Sequence, residues 1–190
     1  INVGLRYDVF DPASVYPSNR RNPSNQLTYK DTSGILIDSL TSTYPDAEII
    51  DQISPRIGFA YQLGNEAVLH FSYGHFFQMP PLYAMYQNHS FLIPPNDHGT
   101  TMGNVRLEPE KTITYEIGLW QELTRGLSLD VALFYRDIYN LLSAQVFSTY
   151  NQIEYGLYSN KDYGNARGLE VKLDMGLGAL KGMLNYTLQY

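Results

Sequence analysis

Seven stretches of this chain alternate apolar with polar residues, and the connections between them alternate short with long. In the first stretch to show it clearly, Ile57, Phe59, Tyr61 and Leu63 share one face while Arg56, Gly58, Ala60 and Gln62 share the other. Leu69, Phe71 and Tyr73 repeat the pattern against His70, Ser72 and Gly74, and Ile113, Tyr115 and Ile117 against Thr114 and Glu116. The run from Leu127 to Tyr139, the set Leu169, Val171, Leu173 and Met175, and the set Leu180, Leu184, Tyr186 and Leu188 continue it. Short connections rich in conformationally permissive residues follow the second, fourth and sixth stretches: Gly64-Asn65, Thr124-Arg125-Gly126 and Gly176-Leu177-Gly178-Ala179. Long ones occupy Asp11 to Gln52, Phe77 to Pro109 and an irregular stretch from Ser143 to Asp162. Alternation by itself also fits a soluble antiparallel sheet packed on a core. Sorting of connection length by parity does not follow from a sandwich, whereas a transmembrane barrel has short turns at one rim and long loops at the other. The expected fold is therefore all-β: an antiparallel up-and-down meander of about seven strands, curved as a partial transmembrane β-barrel wall. The expected strands cover 1–10, 53–63, 66–76, 110–122, 126–142, 156–175 and 180–190.

Composition fits that reading. Seventeen Tyr and eight Phe are present, and Tyr combines an apolar ring with a hydroxyl that favours water, which suits a membrane interface. Tyr7, Tyr73, Tyr135, Tyr139, Tyr186 and Tyr190 fall near expected strand ends. Cross-strand packing in a soluble sandwich would also place Tyr there. No run approaches the roughly 18 apolar residues of a spanning helix. A formal net charge of −6 argues against nucleic acid as a partner. The absence of cysteine excludes disulfide scaffolds, zinc ribbons and thiol catalysis. No nucleophile elbow, phosphate loop, dinucleotide fingerprint or EF-hand loop occurs, so the chain reads as a non-enzyme without a cofactor. His70 and His75 stand five apart, on opposite faces of a strand, and do not read as a metal pair. His89 and His98 share a loop with Asp97, a weak ligand set. The chain opens at Ile1 in strand-like sequence and still alternates at Tyr190, so residues 1–190 read as part of a β-barrel domain cut from a longer chain at both ends.

Several segments resemble TonB-dependent outer-membrane receptors. They are Ile53-Ser54-Pro55-Arg56-Ile57-Gly58-Phe59-Ala60-Tyr61; Ser72-Tyr73-Gly74-His75-Phe76-Phe77-Gln78-Met79-Pro80; Leu107-Glu108-Pro109-Glu110-Lys111 with Tyr115-Glu116-Ile117-Gly118; Phe134-Tyr135-Arg136-Asp137-Ile138; and Tyr163-Gly164-Asn165-Ala166-Arg167-Gly168-Leu169-Glu170. The resemblance implies ligand uptake across the bacterial outer membrane, coupled to energy from an inner-membrane complex through an N-terminal region not contained in this sequence. It implies outer-membrane lipid and an imported ligand as partners. The family's plug and coupling box have no counterpart here, and about seven strands make a third of a barrel of roughly 22. Within the motifs, Pro109 ends a loop without needing a ladder hydrogen bond. Glu116 faces the lumen within reach of cations such as Arg136, and Gly164 and Gly168 bracket a strand start at a tilt or bulge.

For ligand contact the loop from Phe77 to Pro109 stands out, since it combines aromatic rings with amides and imidazoles. Phe77, Met79, Leu82, Tyr83 and Met85 read as packing over the rim. Tyr86, Gln87, His89 and His98 read as ligand-binding residues, with Phe91 and Asn96 nearby. The alternative function is a β-rich surface module that binds glycan or protein through the same aromatic loops.

Overall fold

The computed structural model describes residues 1–26, 30, 32–95, 98–178 and 180–190. Asn96 and Asp97, named above as loop residues, lie outside them. Strands β1 (Asn2–Phe10), β2 (Ile50–Leu63), β3 (Ala67–Gln78), β5 (Glu110–Thr124), β6 (Leu127–Ser148), β7 (Glu154–Leu177) and β8 (Leu180–Gln189) form one sheet. Each pairs antiparallel with its neighbour among these seven. The short turns between β2 and β3, β5 and β6, and β7 and β8 carry Gly64, Gly126 and Gly178 at φ of +67°, +83° and +61°. That left-handed backbone favours glycine and sets the tight reversal. All long connections leave from the opposite rim, as the parity requires.

Two features depart from the expectation. An eighth strand, β4 (Thr101–Met102), lies in the long connection after β3 and pairs parallel with Gly156 and Leu157 of β7. The stretch from Ser143 to Asp162 is not irregular: β6 and β7 run on past the rim as a hairpin joined at residues 149–153, with Ser148 opposite Glu154. The alternation is hidden because the ladder slips between Ile138 and Leu142, where Asn140 takes φ +62°. An inserted residue flips the side-chain phase, so a period read from the lower strand breaks there. Gly164 does stand opposite Ile138, beside this bulge, but β7 begins ten residues earlier, at Glu154.

The register groups side chains by face. Outward rows run Phe59–Phe71–Ile117–Leu133–Leu169–Leu188 and, two residues closer to the loops, Ile57–Tyr73–Tyr115–Tyr135. The apolar row is open to the surroundings, with Leu133 56% and Ile117 48% exposed. The tyrosines make a belt, with ring centroids 5.1 Å apart between Tyr73 and Tyr115 and 6.4 Å between Tyr115 and Tyr135. Apart from Phe134, every buried apolar side chain among the described residues lies beyond the rim, in a cap built by the long connections. One cap cluster comprises Ile93, Met102, Ile153, Tyr155 and Leu157, the other Ala84, Met85 and Leu107. No helix among the described residues is long and apolar enough to cross a membrane, which says nothing about strands.

Candidate ligand-binding site

Two surfaces offer polar groups in a concave setting: the inner face of the wall and the cap. On the inner face a groove of about 660 Å³ is floored by Gly4, Gly58 and Gly74 and flanked by Arg56, Arg136 and Glu116. The Arg56 guanidinium lies 4.6 Å from the Phe76 ring centroid, and Arg136 lies 4.6 Å from that of Phe134. Glu116 therefore does not take Arg136 as its ion partner. Among the described residues the basic side chain that reaches its carboxylate is His70, with Nδ1 at 4.0 Å, and His70 Nε2 meets Asp130 at 3.2 Å. Gly118 makes this possible, because a Cβ there would lie 2.3 Å from the His70 ring. His70 faces inward. His75 faces outward beside Tyr73, whose hydroxyl is 2.6 Å from its Nε2. Among the described residues no group of three His, Asp or Glu is placed to hold a metal ion.

The cap forms because its three connections are stitched together. After Pro80-Pro81, a helix α1 (Leu82–Tyr86) buries Ala84 and Met85 and leaves Leu82 and Tyr83 largely exposed. Its last turn is met by Gly103, whose amide donates to the Gln87 carbonyl at 2.7 Å. A Cβ on Gly103 would fall 2.6 Å from Met85 O and Gln87 N, so only glycine permits the approach. Leu107 is fully buried, and Glu108-Pro109 is held by two asparagines. Asn140 Nδ2 donates to Glu108 Oε2 (2.9 Å) and Pro109 O (3.3 Å), while Asn160 Nδ2 donates to Glu108 O (3.0 Å). The first long connection is tied to the hairpin by Tyr155, whose hydroxyl donates to Arg20 O at 2.6 Å, and by Tyr150 N donating to Arg21 O at 3.1 Å. Burial pushes the Tyr155 phenol up to about 12, with Arg20 working weakly against it.

Within the cap, Tyr86, Gln87 and His89 line one cleft of about 30 Å³, together with Tyr16, Arg20 and Arg106. Tyr86 is anchored, its hydroxyl donating to Pro12 O at 2.9 Å; Gln87 and His89 are exposed. His98 does not line this cleft, and its Nδ1 accepts from Glu154 N at 3.4 Å at the start of β7. Phe91 lines it from a left-handed backbone, φ +59°, with its ring stacked 5.7 Å from Tyr44. An adjoining outer hollow of about 700 Å³ shares Arg20 and Arg106 and adds Ser18, Asn19, Asp38 and Tyr150. Sequence reading missed Arg20, Arg106, Tyr16 and Gly103. Their membership depends on which loops meet, and only the Arg20-Arg21 pair in a polar loop gave any sign. The chemistry gathered here is that of binding: stacking surface, amides, imidazole and guanidinium.

Comparison with known proteins places this geometry. In solved structures the chain is similar to the Serratia marcescens hemophore receptor HasR in complex with its hemophore and heme, with a TM-score of 0.61 and 19% identity over 99% of this chain and 29% of that one. It is similar to the Pseudomonas aeruginosa ferric enterobactin receptor in complex with enterobactin, with a TM-score of 0.58 and 20% identity over 73% of this chain and 22% of that one. The FrpB iron transporter of Neisseria meningitidis gives a TM-score of 0.57 and 15% identity over 98% of this chain and 22% of that one. The chain thus spans less than a third of the length of these proteins. No curated protein matches the sequence. The family model described as TonB dependent receptor-like, beta-barrel, matches residues 1–190, and the chain belongs to that family.

Proposed function

We propose that this chain forms part of the wall and outer cap of a receptor in the bacterial outer membrane that takes up a ligand by energy-coupled import. The observation that carries the reading is the family match over the whole chain, on a sheet whose outward face is apolar and belted with tyrosine. A surface adhesion module has no such need of an open apolar face. Energy would reach the barrel from an inner-membrane complex through a region outside residues 1–190. The ligand classes to try first are those carried by the similar receptors, heme and a ferric siderophore.

Tyr86, Gln87, His89 and His98 are the proposed contact residues, three lining the cleft and His98 outside it, at the start of β7. The test is alanine replacement of all four in the receptor that contains this barrel segment. Uptake of radio-iron supplied as heme or as ferric enterobactin is then measured in cells with matched surface abundance. Reduced uptake with normal membrane insertion supports the reading; uptake equal to the parent removes these residues from it.

A further inference from the structure

Arg20 and Arg106 belong to different long connections, yet both line the inner cleft and the outer hollow of the cap. The chain carries 19 Asp and Glu against 13 Lys and Arg, but among the described residues no carboxylate lines the inner cleft and Asp38 alone lines the outer hollow. The local charge is thus opposite in sign to that of the chain. Each guanidinium is placed by an aromatic ring: Arg20 lies 5.1 Å from the Phe147 centroid, and Arg106 lies 4.6 Å from the Tyr16 centroid. Neither forms an ion pair among the described residues. Stacking uses the flat face of a guanidinium and leaves its N–H edge for an oxyanion. A planar fork binds carboxylate or phosphate oxygens in pairs, and two forks on separate loops hold such an anion only when the loops are docked together.

We propose that Arg20 and Arg106 are an anion-anchoring pair at the mouth of the cap, selecting ligands that carry carboxylate or phosphate oxygens. The inner cleft, at about 30 Å³, has room for little more than a water, so the anion sits in the outer hollow of about 700 Å³ that the same two arginines line. This inference deepens the uptake reading above and rests on it.

The receptor in detergent micelles is titrated calorimetrically with benzene-1,3,5-tricarboxylate, with pyrophosphate, and with the uncharged benzene-1,3,5-tricarboxamide. The tricarboxylate should bind at least about tenfold more tightly than the amide and weaken with added salt. The double variant Arg20→Gln, Arg106→Gln should lose about tenfold or more, and the corresponding double Lys variant should lose less, because charge survives without the fork. Pyrophosphate binding that also depends on the pair would extend the site to phosphates; its absence would restrict the anion to carboxylates. Equal binding of tricarboxylate and amide, no detectable anion binding, or unchanged affinity in the double Gln variant would overturn the anion pair. If that happens while the fourfold alanine variant still lowers uptake, the uptake reading stands alone. Unchanged uptake in the fourfold variant would instead remove the foundation.

Discussion

Replacing Val131 by arginine tests the assignment of the two faces most directly. Tyr135 belongs to the outward belt, and Leu133, Val131, Leu129 and Leu127 follow it down the same face of β6. Each two-residue step covers roughly 6.7 Å of strand, or about 5 Å along the membrane normal at a tilt near 40°. An apolar band about 25 Å tall then has its midplane roughly 12 Å below the belt. Val131, about 10 Å down, and Leu129, about 15 Å down, straddle it, whereas Leu133 is only about 5 Å in. Val131→Arg should cost about 2–4 kcal/mol, and Leu133→Arg a smaller amount between that and the ~0–1 kcal/mol seen near an interface. Ala132, between Gly118 and Glu170 on the inner face, should accept arginine with a smaller cost than Val131, since Glu170 lies opposite. Guanidinium unfolding of the receptor in lipid vesicles, followed by tryptophan emission, measures all three. A penalty for Ala132→Arg equal to or above that for Val131→Arg would mean the faces are reversed.

The glycines under aromatic and imidazole rings give a second check. A Cβ on Gly168 would meet Leu188 O at 2.2 Å and the Phe134 ring at 2.7 Å, so Gly168→Ala should cost about 1–3 kcal/mol in the same assay. Gly118→Ala should cost less, because the group in its way is the His70 ring, which can swing at the expense of its contact with Asp130. Tyr155 should titrate late. An unfolded phenol loses its proton near 10 while the folded one holds it to about 12, so its share of cap stability is complete below pH 10 and is lost as pH climbs through 12. Absorbance at 295 nm with limited proteolysis of the first long connection follows this, and Tyr155→Phe should flatten that part of the profile. Asn140→Ala should cost about 1–2 kcal/mol and loosen Glu108-Pro109 to hydrogen exchange, since it removes two hydrogen bonds and places alanine at φ +62°.

The wall was readable because a strand's inside and outside alternate residue by residue, and lipid and lumen make opposite demands on the two sets. The strand ends match the expected spans to within three residues, from β1 at Asn2–Phe10 to β8 at Leu180–Gln189, except that β6 runs on to Ser148 where 142 was expected. What failed was phase. At Asn140 the bulge shifts the register, so Tyr155, a buried cap residue, fell outside the expected strands. The cap contacts were not legible for a different reason. Tyr155 to Arg20 joins residues 135 apart in the chain, and no local pattern in either segment announces the other. Of the four loop residues singled out, the aromatic and amide content was visible, but their division was not: Tyr86, Gln87 and His89 share a cleft that His98 does not line.

Where the apolar burial sits explains how one sequence builds both a wall and a cap. The wall leaves Leu5 73% and Leu133 56% exposed, which water would penalise and lipid does not. Between the two edge strands, β1 and β8, its backbone groups are paired in the ladder, so it needs little internal core. The cap lies beyond the rim and must bury its own apolar groups to remain folded, and it does so with Met85, Met102, Leu107 and Tyr155, each 1% exposed or less. β4 and the extended hairpin carry that packing back to the wall through the ladder of β7. A ligand held between Arg20 of the first connection and Arg106 of the second would therefore bear on a packed unit continuous with the barrel, rather than on independent loops. Loosening the Tyr155–Arg20 link should then weaken anion binding even though Tyr155 itself carries no charge. Tyr155→Phe with undiminished tricarboxylate affinity would show that the two arginines do not depend on this link.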